Sequence, residues 1–269
     1  MRIGIFDSGI GGLTVLAAAR AAMPGHDLLY LGDTARIPYG TRSPLTVIRY
    51  SLAVASWLHD HEVEAIVVAC NTASTHALDA LRAAGETVGI QVFGVVDPGV
   101  EAALAAHTHG EIAVLGTQGT VTGGAYQRAL ARRAPQVPVH AVPCPLFVPL
   151  VEEGWLHGPV PEQVAEAYVG HLRGRVDVAI LGCTHYPLLT DVLGQVLPGT
   201  RLVDSASATA AAVRAALGPG EGAGSVTYRV TDHVERFQSV GAHFLGEIPS
   251  PVQWVDLGPA HAPWTLDPA

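Results

Sequence analysis

Over the first hundred positions, short apolar runs broken by glycine and acidic residues alternate with longer stretches of helical periodicity. Ile3–Phe6 is an apolar run ended by the glycines of DSGIGG, and a helical stretch follows from Leu13 to about Ala22. Leu28–Leu31 predicts a second strand closed by Gly32-Asp33, and residues from Pro44 to His61 carry apolar positions at helical spacing. Ala65–Ala69 has the all-apolar character of a strand buried on both faces. Thr72 to about Ala84 again predicts helix, and Gln91–Val96 another strand, closed by Asp97-Pro98-Gly99. Strands separated by helices of this length predict a parallel sheet covered on both sides.

The pattern then restarts. Val63-Glu-Ala-Ile-Val-Val-Ala-Cys70-Asn-Thr72 aligns without a gap on Val176-Asp-Val-Ala-Ile-Leu-Gly-Cys183-Thr-His185: acid on acid, apolar on apolar, cysteine on cysteine. Ile3–Gly12 echoes Ile112–Thr120 more weakly, at an offset of 109 residues against 113 for the cysteines. Together these echoes predict two α/β units related by pseudo-symmetry, each contributing one cysteine.

Composition narrows the chemistry. The chain has 269 residues, 49% apolar and 14% charged, with a net charge of −9, which suits a globular enzyme and disfavours a nucleic-acid partner. No signal peptide precedes the first strand and no run reaches the length of a membrane span, so the expectation is a cytoplasmic protein without a membrane partner. All 15 basic residues counted as Lys+Arg are arginine. Without lysine, neither a pyridoxal-phosphate Schiff base nor a P-loop is available. Codon bias accounts for most of that skew, yet the single asparagine, Asn71, lies directly after Cys70 at a predicted strand end.

In an open parallel sheet, ligands bind beyond the carboxyl ends of the strands, where Cys70 and Cys183 both fall. A following helix N-terminus would lower a thiol pKa there. An isolated cysteine after a Val/Ile run packs as a small hydrophobe; a matched pair flanked by Asn-Thr and Thr-His asks for another reason. Cys144, between prolines, is read as structural, and three cysteines without CxxC spacing argue against disulfides or a zinc ribbon. Asp7 ends the first strand, where it could assist a thiol or hold an ammonium group, or simply begin a loop. Glu152-Glu153 could serve the second unit, or form a solvated helix start. His185 could tune Cys183. Three other chemistries stay open on these residues. Gly9-x-Gly11, with Asp33 after the next strand, is an incomplete dinucleotide fingerprint, its third glycine replaced by Thr14. A Cys–His hydrolase leaves one cysteine idle, and a zinc site could draw on Cys70, Cys183, His185 and Asp7.

The segments IFDSGIGGLTV (5–15), YLGDTARIPYG (30–40), ACNTAS (69–74), GVVDPG (94–99), GTQGTV (116–121) and LGCTHYPLL (181–189) resemble, in order and spacing, the motifs of bacterial glutamate racemases. RVTDHVERFQSVGAHFLGE (229–247) is similar to that family's closing helix region. The resemblance implies two pseudo-symmetric parallel-sheet α/β domains with the active site between them: residues 1–96 with 207–269, and residues 97–206. It implies Cys70 and Cys183 as the acid/base pair, assisted by Asp7, Glu152 and His185. It implies Ser8, Tyr39 and Gly40 around the substrate's side-chain carboxylate. Asn71, Thr72 and Thr184 fall near the α-carboxylate and ammonium, and Thr117 and Thr120 along the pocket. Gln118 stands where many relatives carry an acidic residue. No cofactor and no metal are expected, the substrate is glutamate, the assembly a homodimer, and the product D-glutamate for peptidoglycan. Aspartate racemisation is the nearest alternative, but His185 stands where sequences resembling aspartate racemases have an acidic residue. Some relatives carry an N-terminal extension tied to activation by a cell-wall precursor; this chain begins at the first strand, so no such dependence is expected.

Overall fold

The computed structural model describes residues 1–266. Its strands are β1 (Arg2–Asp7), β2 (Asp27–Gly32), β3 (Ala65–Val68), β4 (Gln91–Gly94), β5 (Glu111–Gly116), β6 (Val139–Pro143), β7 (Val176–Gly182), β8 (Arg201–Asp204), β9 (Val226–Val230) and β10 (Val252–Trp254). They form two sheets, both wholly parallel. One has six strands in the order β10-β9-β2-β1-β3-β4, the other four in the order β6-β5-β7-β8. The shared core is therefore the same motif twice, β2-β1-β3-β4 and β6-β5-β7-β8. Even the register repeats. Ile3 to Phe6 pair with Ala65 to Val68, and their aligned counterparts Ile112 to Leu115 pair with Val178 to Leu181. Chain returning after β8 adds β9 and β10 to the outer edge of the first sheet.

Both sheets are buried on both faces, which is why their strands read as unbroken apolar runs. Phe6, Leu31, Ile66 and Val68 point into one core of the first unit; Ile3, Ile5, Tyr30 and Val67 point into the other. The second unit repeats this with Leu115, Ala179 and Leu181 on one side and Ile112, Val114 and Ile180 on the other. The helix Leu13–Ala22 falls where its periodicity predicts. The helix Pro44–Asp60 starts at Ser43, whose hydroxyl accepts from the Thr46 N–H, with Pro44 in the first turn where no amide donor is needed.

Two local expectations fail. The helix expected from Thr72 to Ala84 is two helices, Asn71–His76 and Leu78–Val88, sharing Ala77 as their junction. Asp97-Pro98-Gly99 does not close a strand: it lies in the first turn of the helix Val96–Ala106, because proline is tolerated there and the Asp97 carboxylate faces the positive helix end. Among the described residues, no helix is long and apolar enough to cross a membrane.

Candidate active site

The carboxyl ends of both sheets face one cavity of about 340 Å³, within the size range of small-molecule sites. The first unit supplies Ser8 after β1, the Ile37–Thr41 segment, and Cys70, Asn71 and Thr72 after β3. The second supplies Thr117 and Gln118 after β5, Pro145, Val148, Pro149 and Glu152 from the segment after β6, and Cys183, Thr184 and His185 after β7. The two matched cysteines thus line one space from two units. Cys144 is fully buried in the second unit's core and does not line this cavity.

The thiols sit in unlike surroundings. Cys70 is the N-cap of the helix Asn71–His76, its sulfur accepting from the Ala73 N–H at 3.4 Å and lying 3.5 Å from the Ser8 hydroxyl. The helix end does not lower this thiol's pKa as expected. Burial and the neighbouring Asp7 carboxylate outweigh those hydrogen bonds and push it up to about 12. Cys183 precedes not a long helix but the single turn Tyr186–Leu189. Its Sγ lies 3.9 Å from His185 Nδ1, and His185 Nε2 is 3.1 Å from the Glu152 carboxylate. Burial works against an imidazolium there, but the bonds to Cys183 and Glu152 prevail and raise the His185 pKa to about 10. Burial likewise opposes ionisation of Glu152, yet His185 and then Arg236 hold its carboxyl below the ordinary range. One thiol therefore faces negative charge and the other positive charge, a polarity suited to an acid and a base on two sides of a bound carbon.

The remaining predicted residues divide by position. Asp7 is buried behind the wall rather than in it. Its carboxylate accepts from the Gly9 N–H at 2.9 Å and from the Thr184 hydroxyl across the cleft at 3.4 Å, and burial raises its pKa. The Tyr39 hydroxyl is committed to buried Asp33, so the segment 38–41 meets the cavity without it. Gly40 packs so closely on Thr117 that an added Cβ would lie 2.7 Å from the threonine Cβ. Thr72, Thr117 and Thr120 form a triangle of hydroxyls with edges of 2.9, 3.1 and 3.2 Å. Thr120 stands behind the other two, outside the cavity wall. Asn71 Oδ1 accepts from the Tyr126 hydroxyl at 2.6 Å, which leaves its buried Nδ2 without a protein partner.

Sequence reasoning missed the apolar wall of Pro145, Val148 and Pro149, whose signal was the apolar run directly ahead of Glu152. It also missed Arg236, which reaches Glu152 and Glu153 at 3.3 Å from the helix Val234–Leu245, and Phe244, which meets the His185 ring edge-on at 5.5 Å from the same helix. Among the described residues, no group of three or more His, Cys, Asp or Glu side chains is disposed to hold a metal ion.

Residues 14–213 match the model of the Asp/Glu/hydantoin racemase family. The chain is 47% identical to the glutamate racemase of Aquifex aeolicus over 247 residues, covering 92% of this chain and 95% of that one. The crystal structure of glutamate racemase from Thermus thermophilus in complex with β-chloro-D-alanine superposes with a TM-score of 0.84 at 43% identity, over 95% of this chain and 97% of that one. The Francisella tularensis glutamate racemase in complex with D-glutamate gives a TM-score of 0.87 at 33% identity, over 96% and 98%.

Proposed function

The chain belongs to the Asp/Glu/hydantoin racemase family and, within it, to the glutamate racemases, and from that premise we propose that it interconverts L- and D-glutamate by proton transfer between two cysteines without a cofactor. The observation that carries this reading is the convergence of two thiols, at equivalent strand ends of two matched sheets, on one cavity.

The α-proton of an amino acid is weakly acidic because the adjacent carboxylate opposes a carbanion. A site without an electron sink must answer with donors aimed at that carboxylate and with exclusion of water. Asn71 Nδ2, buried and unpartnered in the wall, is such a donor, and the threonine hydroxyls and apolar Val148 and Pro149 complete the setting. In the proposed reaction from L-glutamate, Cys183 as thiolate takes the α-proton. The electron pair left on the α-carbon then takes a proton from the Cys70 thiol on the opposite face, leaving D-glutamate, a Cys183 thiol and a Cys70 thiolate. D-glutamate is inverted by the reverse sequence. The negative surroundings of Cys70 and the His185–Glu152 pair beside Cys183 support this assignment of roles.

Asp7 and Glu152 act through their neighbours in this scheme, Asp7 through Thr184 and the β1 loop, Glu152 through His185. The same reading takes residues 1–96 with 207–269 as one domain and 97–206 as the other. It takes the enzyme as a cytoplasmic homodimer feeding D-glutamate into peptidoglycan. The test is direct. Purified, chelator-treated and dialysed protein should change the optical rotation of L-glutamate, with L-aspartate as the control. Cys70→Ala and Cys183→Ala should each abolish the change. Turnover that requires added pyridoxal phosphate, NAD or a metal, or an active Cys183→Ala enzyme, would refute the scheme.

A further inference from the structure

Tyr126 lies in the helix Ala125–Arg133 of the second unit, yet its hydroxyl crosses to the first unit and donates to Asn71 Oδ1 at 2.6 Å. Both side chains are buried, Tyr126 fully and Asn71 at 2% exposure. Burial holds the phenol pKa far above any working pH, with the Ser205 hydroxyl beside it opposing only in part, so the proton is always there to be donated. The phenol oxygen is closely walled: a Cβ added at Gly99 would lie 3.3 Å from it and 3.2 Å from Ser205 Cβ. Gly99 and Ser205 lie near the two places where the chain passes from one sheet to the other, after β4 and after β8.

An asparagine side chain can present either its carbonyl or its amide group to a cavity, and the two have opposite consequences for an anionic ligand. Here a buried O–H needs an acceptor, and the Asn71 carbonyl satisfies it. Turning the amide over would remove that 2.6 Å acceptor and leave the phenol only the Ser205 hydroxyl to donate to. The carbonyl is therefore held back towards Tyr126, and Nδ2 is left buried without a protein partner on a residue that lines the cavity. We propose that Tyr126 is a positioning residue for racemisation: it locks the Asn71 amide so that its N–H group, not its carbonyl, meets the substrate carboxylate. This inference rests on the reading that Asn71 faces bound glutamate.

The experiment is a double-mutant cycle on kcat/KM for glutamate, with thermal melting as a check on folding. Asn71→Ala should lose activity, and Tyr126→Phe, which removes one oxygen and keeps the ring, should lower kcat/KM roughly ten- to a hundredfold. In the Asn71→Ala background, Tyr126→Phe should have no further effect beyond about twofold, because the residue it positions is gone. Losses that multiply in the double mutant would show Tyr126 to be a packing residue and overturn the proposal. Wild-type activity in Asn71→Ala would instead overturn the reading on which it rests. Asn71→Asp covers the case in which Tyr126→Phe does not fold: it keeps an acceptor for Tyr126, replaces the Nδ2 donor by a second acceptor and, when ionised, adds negative charge there. It should lose at least as much activity as Asn71→Ala, with melting followed to confirm that the fold survives the buried carboxyl. A folded Asn71→Asp enzyme with parental kcat/KM would overturn the proposal equally.

Discussion

Replacing Glu152 by Gln isolates the charge behind the Cys183–His185 pair. The amide carbonyl can still accept from His185 Nε2, which lies 3.1 Å from the carboxylate in the parent, so shape and hydrogen bonding survive while the negative charge is lost. Both side chains are well buried, at 7% and 14% exposure, so solvent screens the pair little. A hydrogen bond to a charged group contributes about 1.5–3 kcal/mol, against about 1.4 kcal/mol for each unit of pKa. The imidazolium, held up to about 10 in the parent, should therefore lose its proton about one to two pH units sooner. The sign follows from the charge: a group raised by a carboxylate comes down when the carboxylate is neutralised. The alkaline limb of kcat/KM should move to lower pH by that amount, so that activity near pH 10 falls about tenfold or more while activity near pH 7, where the imidazolium keeps its proton in both enzymes, changes much less. Enantiomers have equal free energies, so kcat/KM must fall by the same factor in both directions. Initial rates by circular dichroism from each enantiomer, from pH 6 to 10.5, give the profile. The substrate ammonium titrates identically for both enzymes, which makes the difference between profiles the quantity to read. An alkaline limb that stays in place, with kcat/KM within twofold of the parent, would refute the role given to the Glu152–His185 pair.

Three further outcomes follow from the packing. A Cβ at Gly11 would collide with the His185 ring and the Thr184 hydroxyl, so Gly11→Ala should fold yet lose about a hundredfold in kcat/KM, measured alongside melting temperature; parental activity would contradict the described contact. Cys144→Ala empties a small space in the second core and should cost about 1–2 kcal/mol by urea unfolding while leaving racemisation largely intact. Asp177 accepts from the Thr108 and His109 N–H groups and from Arg201, which together hold its carboxyl below the ordinary range. Its ionised form thus stabilises the fold above the unfolded carboxyl pKa, and that stabilisation is lost as pH falls through the depressed folded value. Asp177→Asn should lower Tm by a few degrees near neutrality, and the gap to the parent should close in acid.

The repeat was the most legible feature of the sequence, because strands buried on both faces leave unbroken apolar runs and a cysteine at the same offset marks the same strand end. Alignment of Val63–Thr72 on Val176–His185 located both thiols and predicted two matched units, and the structure adds that their central strands pair in the same register. Contacts across the cleft were not legible. Tyr126 reads as one apolar position on an amphipathic helix, and nothing local ties it to Asn71, 55 residues earlier. Arg236 is likewise 84 residues from Glu152. The setting of Cys70 was misjudged for a related reason. A helix N-terminus is visible in sequence, but the burial and the Asp7 charge that outweigh it arise only when β1 and β3 pair side by side. Asp97-Pro98-Gly99 looked like a turn because proline and glycine end strands and also open helices, and local sequence does not separate the two uses.

The claim that two thiols work from opposite faces is tested most directly in deuterated water. With L-glutamate as substrate, Cys183 removes the α-proton and Cys70, exchanged with solvent, returns a deuteron to the other face. At low conversion, D-glutamate separated chirally should carry α-deuterium from the first turnovers, while the remaining L-glutamate stays protiated. Early D-product retaining the substrate's own α-hydrogen would contradict the account, because only a single base serving both faces can hand that hydrogen across.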